Sequence, residues 1–162
     1  MRNFRTNVVI GAVAGLAAAG AMSGFQALWL KQRPSRNMFR PRTDVEVMKL
    51  VAGRAGRSVG LRLSRKEREF AALLLHYGFG AVVGAMYVTL VEQRKVAGVG
   101  RGAVFGTAFY VAGDTFSPRS LKPKVENSET ISRIYEWMTH VVYGVTLEAG
   151  RRGAKALLKT AA

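Results

Sequence analysis

The chain has 162 residues, with 25 Lys and Arg against 10 Asp and Glu, a formal net charge of +15, no cysteine and 18 glycines. That length sets an expectation of one domain. The absence of cysteine excludes disulfides, thiolate-ligated zinc, iron–sulfur clusters and cysteine nucleophiles.

Mean hydropathy is +0.07, yet charged and apolar residues are segregated along the chain. Val8–Leu30 is 23 residues without a charge. As a helix rising 1.5 Å per residue it reaches roughly 34 Å, enough for a hydrocarbon core of about 30 Å. Two readings compete with a membrane span here. One is a buried helix of a soluble domain, disfavoured because such a domain rarely needs two uninterrupted apolar runs of this length. The other is a cleaved signal peptide, with basic Met1–Asn7 ahead of Ala19-Gly20-Ala21, but the apolar run continues nine residues beyond Ala21.

The segment 31–69 follows as a basic linker, holding 12 of the 25 basic residues and four acids. Pro34 and Pro41 make its first part irregular. Within it, 44–55 reads as a short helix: Asp44 can cap it, and Val45, Met48, Ala52 and Ala55 share one face, with Lys49 and Arg54 at the opposite edge. A basic amphipathic segment between spans fits an interfacial helix on anionic lipid. An ordinary solvated loop with a turn or two of helix is the competing reading.

Phe70–Val91 is a second run of 22 residues, uncharged with His76 neutral. A third span is expected over 99–116, where uncharged Gly102–Gly113 is bounded by Arg101 and Asp114. The fourth, 131–149, is the weakest, interrupted by Arg133, Glu136, His140 and Glu148. The connection before it carries Pro118, Pro123 and three basic residues, and Ser128 with Glu129 can cap the fourth helix.

The blocks look duplicated. Gly11–Ala17 matches Gly102–Ala108 at five of seven positions, and Tyr87–Glu92 resembles Tyr143–Glu148. Two tandem helix pairs in one orientation, a parallel repeat, is the simplest account; chance likeness between Ala- and Gly-rich helices is the alternative. The pairs Gly11/Gly15, Gly20/Gly24, Gly80/Gly84 and Gly102/Gly106 are expected to pack helices, because close backbone approach is a main source of association in lipid. They do not separate packing within the chain from association with a second copy.

Four crossings place the long linker and the 117–130 connection on one side with 15 basic residues, against nine on the side of the termini. The positive-inside rule then favours cytoplasmic linkers, although Arg2 and Arg5 before the first span argue the opposite way. Specific nucleic-acid binding is not expected: no recognition helix, RNA-binding strand motif or zinc spacing accompanies the charge.

Five polar residues fall at one depth, toward the linker side: Gln26, His76, Asp114, Glu136 and His140. Trp29, Tyr135 and Trp137 lie there too, as an aromatic belt does. Ionisable groups in a span pair or face a cavity. Fixing helix packing by hydrogen bonds is the commonest use of such residues; relaying protons or holding an ion is the functional one. Two histidines and carboxylates without a local spacing signature do not assign a metal site. Gly98–Ala103 fits a loose G-x-G-x-x-A pattern without the strand a dinucleotide site needs. No nucleophile–base arrangement stands out, so no catalytic residue and no cofactor are assigned.

The order of a Gly/Ala-rich first span, a basic Pro-containing linker, His76-Tyr77-Gly78, a third span ending Asp114…Pro118, and His140…Tyr143-Gly144 resembles the YagU-like family of small bacterial inner-membrane proteins. The resemblance covers roughly Val8 to Glu148. It implies a small polytopic protein of the inner membrane with a proposed link to acid tolerance, and it supplies no catalytic residues.

The expectation is therefore an all-α, integral membrane four-helix bundle built from two tandem helix pairs. Its expected role is non-enzymatic, structural or accessory, with basic linkers on anionic lipid headgroups or an acidic partner, or with a second copy as partner. The alternative is proton or ion handling by His76, Asp114, Glu136 and His140.

Overall fold

The structure, a computed structural model, describes residues 2–32, 43–94, 100–116 and 129–160. Within them every regular element is an α-helix: α1 (Arg2–Lys31), α2 (Asp44–Ser58), α3 (Arg65–Arg94), α4 (Arg101–Phe116) and α5 (Glu129–Thr160). The proline-containing stretches 33–42 and 117–128, the Ser128 cap and the start of the glycine motif at 98–99 lie outside the described residues.

Two helices are long and apolar enough to cross a membrane, over Phe4–Lys31 and Arg65–Gln93, with mean hydropathies of 1.9 and 1.6. The third and fourth expected spans do not meet that standard alone. Helix α4 has 16 residues, about 24 Å of helix against a core of about 30 Å. Helix α5 has 32, but its charges break the apolar stretch.

Glycines set the packing. A Cβ on Gly11 would strike the carbonyl of Gly84, and one on Gly15 the carbonyl of Gly80, so α1 and α3 run antiparallel with their backbones touching. Helices α4 and α5 cross by the same device: Gly102 lies on Gly144, and Gly106 on the carbonyl of His140. This geometry pairs Gly84 with Gly144 as equivalent positions. It corrects the register drawn from Tyr87–Glu92 and Tyr143–Glu148 by one helical turn, because the backbone contact, not the aromatic, fixes the crossing. Gly20 and Gly24 differ from expectation: a Cβ on either meets nothing within 4 Å, so this pair packs against no helix among the described residues.

The two pairs join through α1 and α5, which are antiparallel. Gly150 sits on Ala14, Lys155 bonds Asn7, and Trp29 packs on Tyr135 with centroids 5.6 Å apart. Phe79–Phe109 and Tyr87–Phe105 bring α3 against α4. The buried core is small: Ala14, Ala18, Ala19, Val83, Val88, Tyr143 and Leu147 are among its members.

Helix α2 is capped by Thr43, not by Asp44. Thr43 and Glu46 form a reciprocal capping box, with Asp44 in the first turn. The helix runs three residues past the expected end at Ala55 and stops in a Schellman motif. Leu61 N–H reaches the Gly56 carbonyl at 2.8 Å, Gly60 N–H reaches that of Arg57 at 3.1 Å, and Gly60 adopts φ +79°. Its small face, Ala52, Gly53 and Gly56, is buried, and the helix packs on α3. Ala55 faces out. The apolar face assigned to lipid is thus largely used within the chain, because Gly53 and Gly56 let α2 approach a neighbour.

Candidate functional site

Polar side chains gather at the two ends of the helix assembly. At the α2 end, residues of all five helices line a single cavity of about 90 Å³. Helix α1 contributes Ala19 and Met22, α2 Asp44 and Met48, α3 His76, Phe79, Gly80 and Val83, α4 Phe109, and α5 His140 and Tyr143.

His76 is buried. Its Nε2 lies 3.1 Å from Ser23 Oγ and 3.4 Å from the Ala19 carbonyl. In the tautomer in which Nε2 donates to that carbonyl, Nδ1 of the neutral ring keeps its lone pair. His140 is the mirror case. Its Nδ1 donates to the Glu136 carbonyl at 2.7 Å, which leaves Nε2 as the acceptor. Among the described residues that line the cavity, Asp44 carries the carboxylate, and its Oδ2 accepts from Gln26 Nε2. The walls are aromatic: Phe109 lies 5.8 Å from His140 and 5.9 Å from Phe79. Tyr143 donates to the Gly80 carbonyl at 2.7 Å, which closes the floor.

Of the five residues expected at one depth, the structure brings His76 and His140 to one cavity and holds Gln26 at its edge through Asp44. Glu136 serves through its backbone carbonyl, and its carboxylate accepts from Ser132 at 3.4 Å. Asp114 lies near the end of α4, and its side chain is outside the described residues. Among the described residues no three His or carboxylate side chains cluster as metal ligands. The aromatic belt is only partly formed. Tyr135 is fully buried against Trp29, and Trp137 is turned outward with its Nε1 donating to Thr107 at 3.0 Å.

The opposite end holds a charge network that the sequence reading did not single out. Glu148 accepts from Arg151 at 2.7 and 2.9 Å, from Arg152 at 2.7 Å and from Tyr87 at 3.0 Å. Arg101 lies 3.9 Å from the same carboxylate. Arg151 reaches Glu92 at 2.5 Å, and Lys155 bridges Glu92 at 3.3 Å and Asn7 at 2.7 Å. The network ties α1, α3, α4 and α5 together, and the side chains of Glu148 and Arg151 are only 7% and 10% exposed. One signal pointed to it. Glu148 stands three and four residues before Arg151 and Arg152, the spacing of paired charges on one helical face. No sequence pattern placed Met22, Met48 and Asp44 around His76, since the four residues come from three separate elements.

Comparisons with family models, curated proteins and solved structures find no match to this chain.

Proposed function

We propose that the chain is an integral membrane protein in which α1, α3, α4 and α5 form a four-helix bundle of two helix pairs, with a non-enzymatic, structural or accessory role. The observation that supports this most is where the large apolar side chains lie. Val9, Val13, Leu16 and Leu28 on α1, and Phe70, Leu74, Val82, Met86 and Leu90 on α3, face outward. The contact between these helices is built from Gly and Ala. Only 39% and 33% of the two apolar windows are buried. In water that arrangement leaves the hydrophobic effect unused, while in lipid small residues inside and large ones outside are the expected order.

Such a protein stays with membranes through alkaline carbonate extraction and needs detergent for monodispersity. Recovery as a monodisperse soluble species without detergent overturns the reading. Arg57, Arg62, Arg65, Lys66 and Arg68 are exposed at the turn between α2 and α3. In this reading they meet anionic headgroups or an acidic partner. Location in a bacterial inner membrane rests on the resemblance to YagU-like proteins and is part of the proposal.

A second reading, proton or ion handling, is favoured by the cavity that His76 and His140 share. In liposomes, replacing both with Gln should abolish a pH- or ion-dependent flux and leave the fold intact. Wild-type flux in that double variant removes this reading and leaves the accessory one.

A further inference from the structure

We propose that the cavity at the α2 end binds a soft monovalent metal ion of the Cu(I) or Ag(I) class, held by Met22, Met48, His76 and His140. The inference goes beyond ion handling in general by naming the ion. Its assay needs no transport, so the two stand or fall separately.

Four side chains that carry donor atoms line the cavity, from four helices: Met22 on α1, Met48 on α2, His76 on α3 and His140 on α5. Thioether sulfur is a poor ligand for hard cations and a good one for Cu(I), and imidazole also suits copper. Each imidazole has one ring nitrogen near a backbone carbonyl, Ala19 for His76 and Glu136 for His140, a contact that metal-ligating histidines commonly make. Where that nitrogen donates, the other keeps its lone pair for a metal ion. Among the described residues, Asp44 supplies a carboxylate to the cavity wall. Phe79, Phe109 and Val83 add apolar side chains to the wall, whereas a hard cation such as Ca(II) takes six to eight oxygen ligands. A zinc site built from three histidines and carboxylates is not formed among the described residues. The four donors named here include two sulfurs that such a site would not use.

The test is calorimetric titration of the full chain, purified in detergent, with silver nitrate in chloride-free buffer, since Ag(I) needs no reductant. One Ag(I) per chain is expected. Met22→Leu with Met48→Leu should weaken binding by about tenfold or more while leaving helical content and monodispersity unchanged. His140→Gln should weaken it comparably, and His76→Gln with His140→Gln should remove it. Met86→Leu, altering an exposed thioether on the outer face of α3, should titrate as wild type. The proposal is overturned if the wild-type chain shows no saturable site, if the Met22/Met48 variant binds as wild type does, or if Met86→Leu weakens binding equally. It is also overturned if Zn(II) binds more tightly than Ag(I) and is indifferent to the methionines. If the His76/His140 double variant does not fold, the methionine pair and His140→Gln decide the matter alone.

Discussion

At Gly84 an added methyl would meet the Gly11 carbonyl, with Gly15 Cα 2.8 Å and Gly15 N 3.0 Å away. All three are backbone atoms and cannot rotate aside, so α1 and α3 must part. Gly84→Ala should therefore destabilise the chain by about 1–3 kcal/mol, the usual range for overpacking. Glycine-to-alanine normally favours a helix by up to about 1 kcal/mol, and here the clash outweighs that gain. Gly20→Ala, made where nothing lies within 4 Å, is the control and should leave the unfolding midpoint in detergent unchanged or slightly raised. Equal midpoints for the two variants would contradict the crossing. The sequence showed these glycines only as small-residue pairs. Spacing identifies which residues permit close approach, but whether a neighbour arrives depends on which way the helix faces, so Gly20/Gly24 read the same as Gly11/Gly15.

At the scale of an element, α2 is held by its two ends and one face. The Thr43–Glu46 box starts it, the motif at Gly60 stops it, and Asp44 ties it to Gln26 on α1. Thr43→Ala removes the hydroxyl that accepts from Glu46 N–H, which should cost about 1 kcal/mol. Fraying is confined to α2, so amide exchange should quicken over 44–50 and stay slow over the α1–α3 contact. A uniform change along the chain would mean that α2 is not a separate unit. The existence of this helix was legible from its periodicity, and its approximate bounds followed. Its buried face was not legible, because hydrophobicity marked Ala55 while the contact uses Gly53 and Gly56, which score as non-apolar. The long helices follow the same pattern. Apolar runs located α1 and α3, but the helices extend past the runs at charged ends that only the surrounding structure can satisfy. The cavity illustrates the remainder: His76 and His140 were visible as polar residues in apolar spans, whereas Met22 and Met48 looked like any core residue.

For the whole molecule, the two ends differ in kind. The end at Asn7, Glu92, Glu148 and Lys155 is a clamp of charges, and the other end is the cavity closed by α2. Glu148→Ala strips Arg151 and Arg152 of their carboxylate and leaves a guanidinium only 10% exposed with Glu92 alone. Breaking a buried pair in this way costs about 3–5 kcal/mol. By contrast, Glu69→Ala breaks contacts to Lys49 and Arg65 at an exposed site and should cost no more than about 1 kcal/mol. Comparing unfolding midpoints of the two variants checks this, and similar losses would show that the clamp is solvated.

The same opposition of ends makes a prediction about topology that needs no partner or ligand. Ser58 is exposed at the α2–α3 turn, and Ala156 is exposed near the end of α5, one residue beyond Lys155 of the clamp. If the apolar exteriors of α1 and α3 sit in lipid, the bilayer lies between these positions. The chain has no cysteine, so Ser58→Cys and Ala156→Cys each introduce a unique thiol. In sealed vesicles an impermeant maleimide added outside should label one variant and spare the other, and inverting the vesicles should exchange them. In the proposed membrane reading, the count of basic residues, 15 against nine, favours Ser58 on the cytoplasmic face. Labelling of both variants from the same side would mean that the two ends share one compartment, and the outward-facing Leu, Val and Phe would then have to be covered by something other than a bilayer.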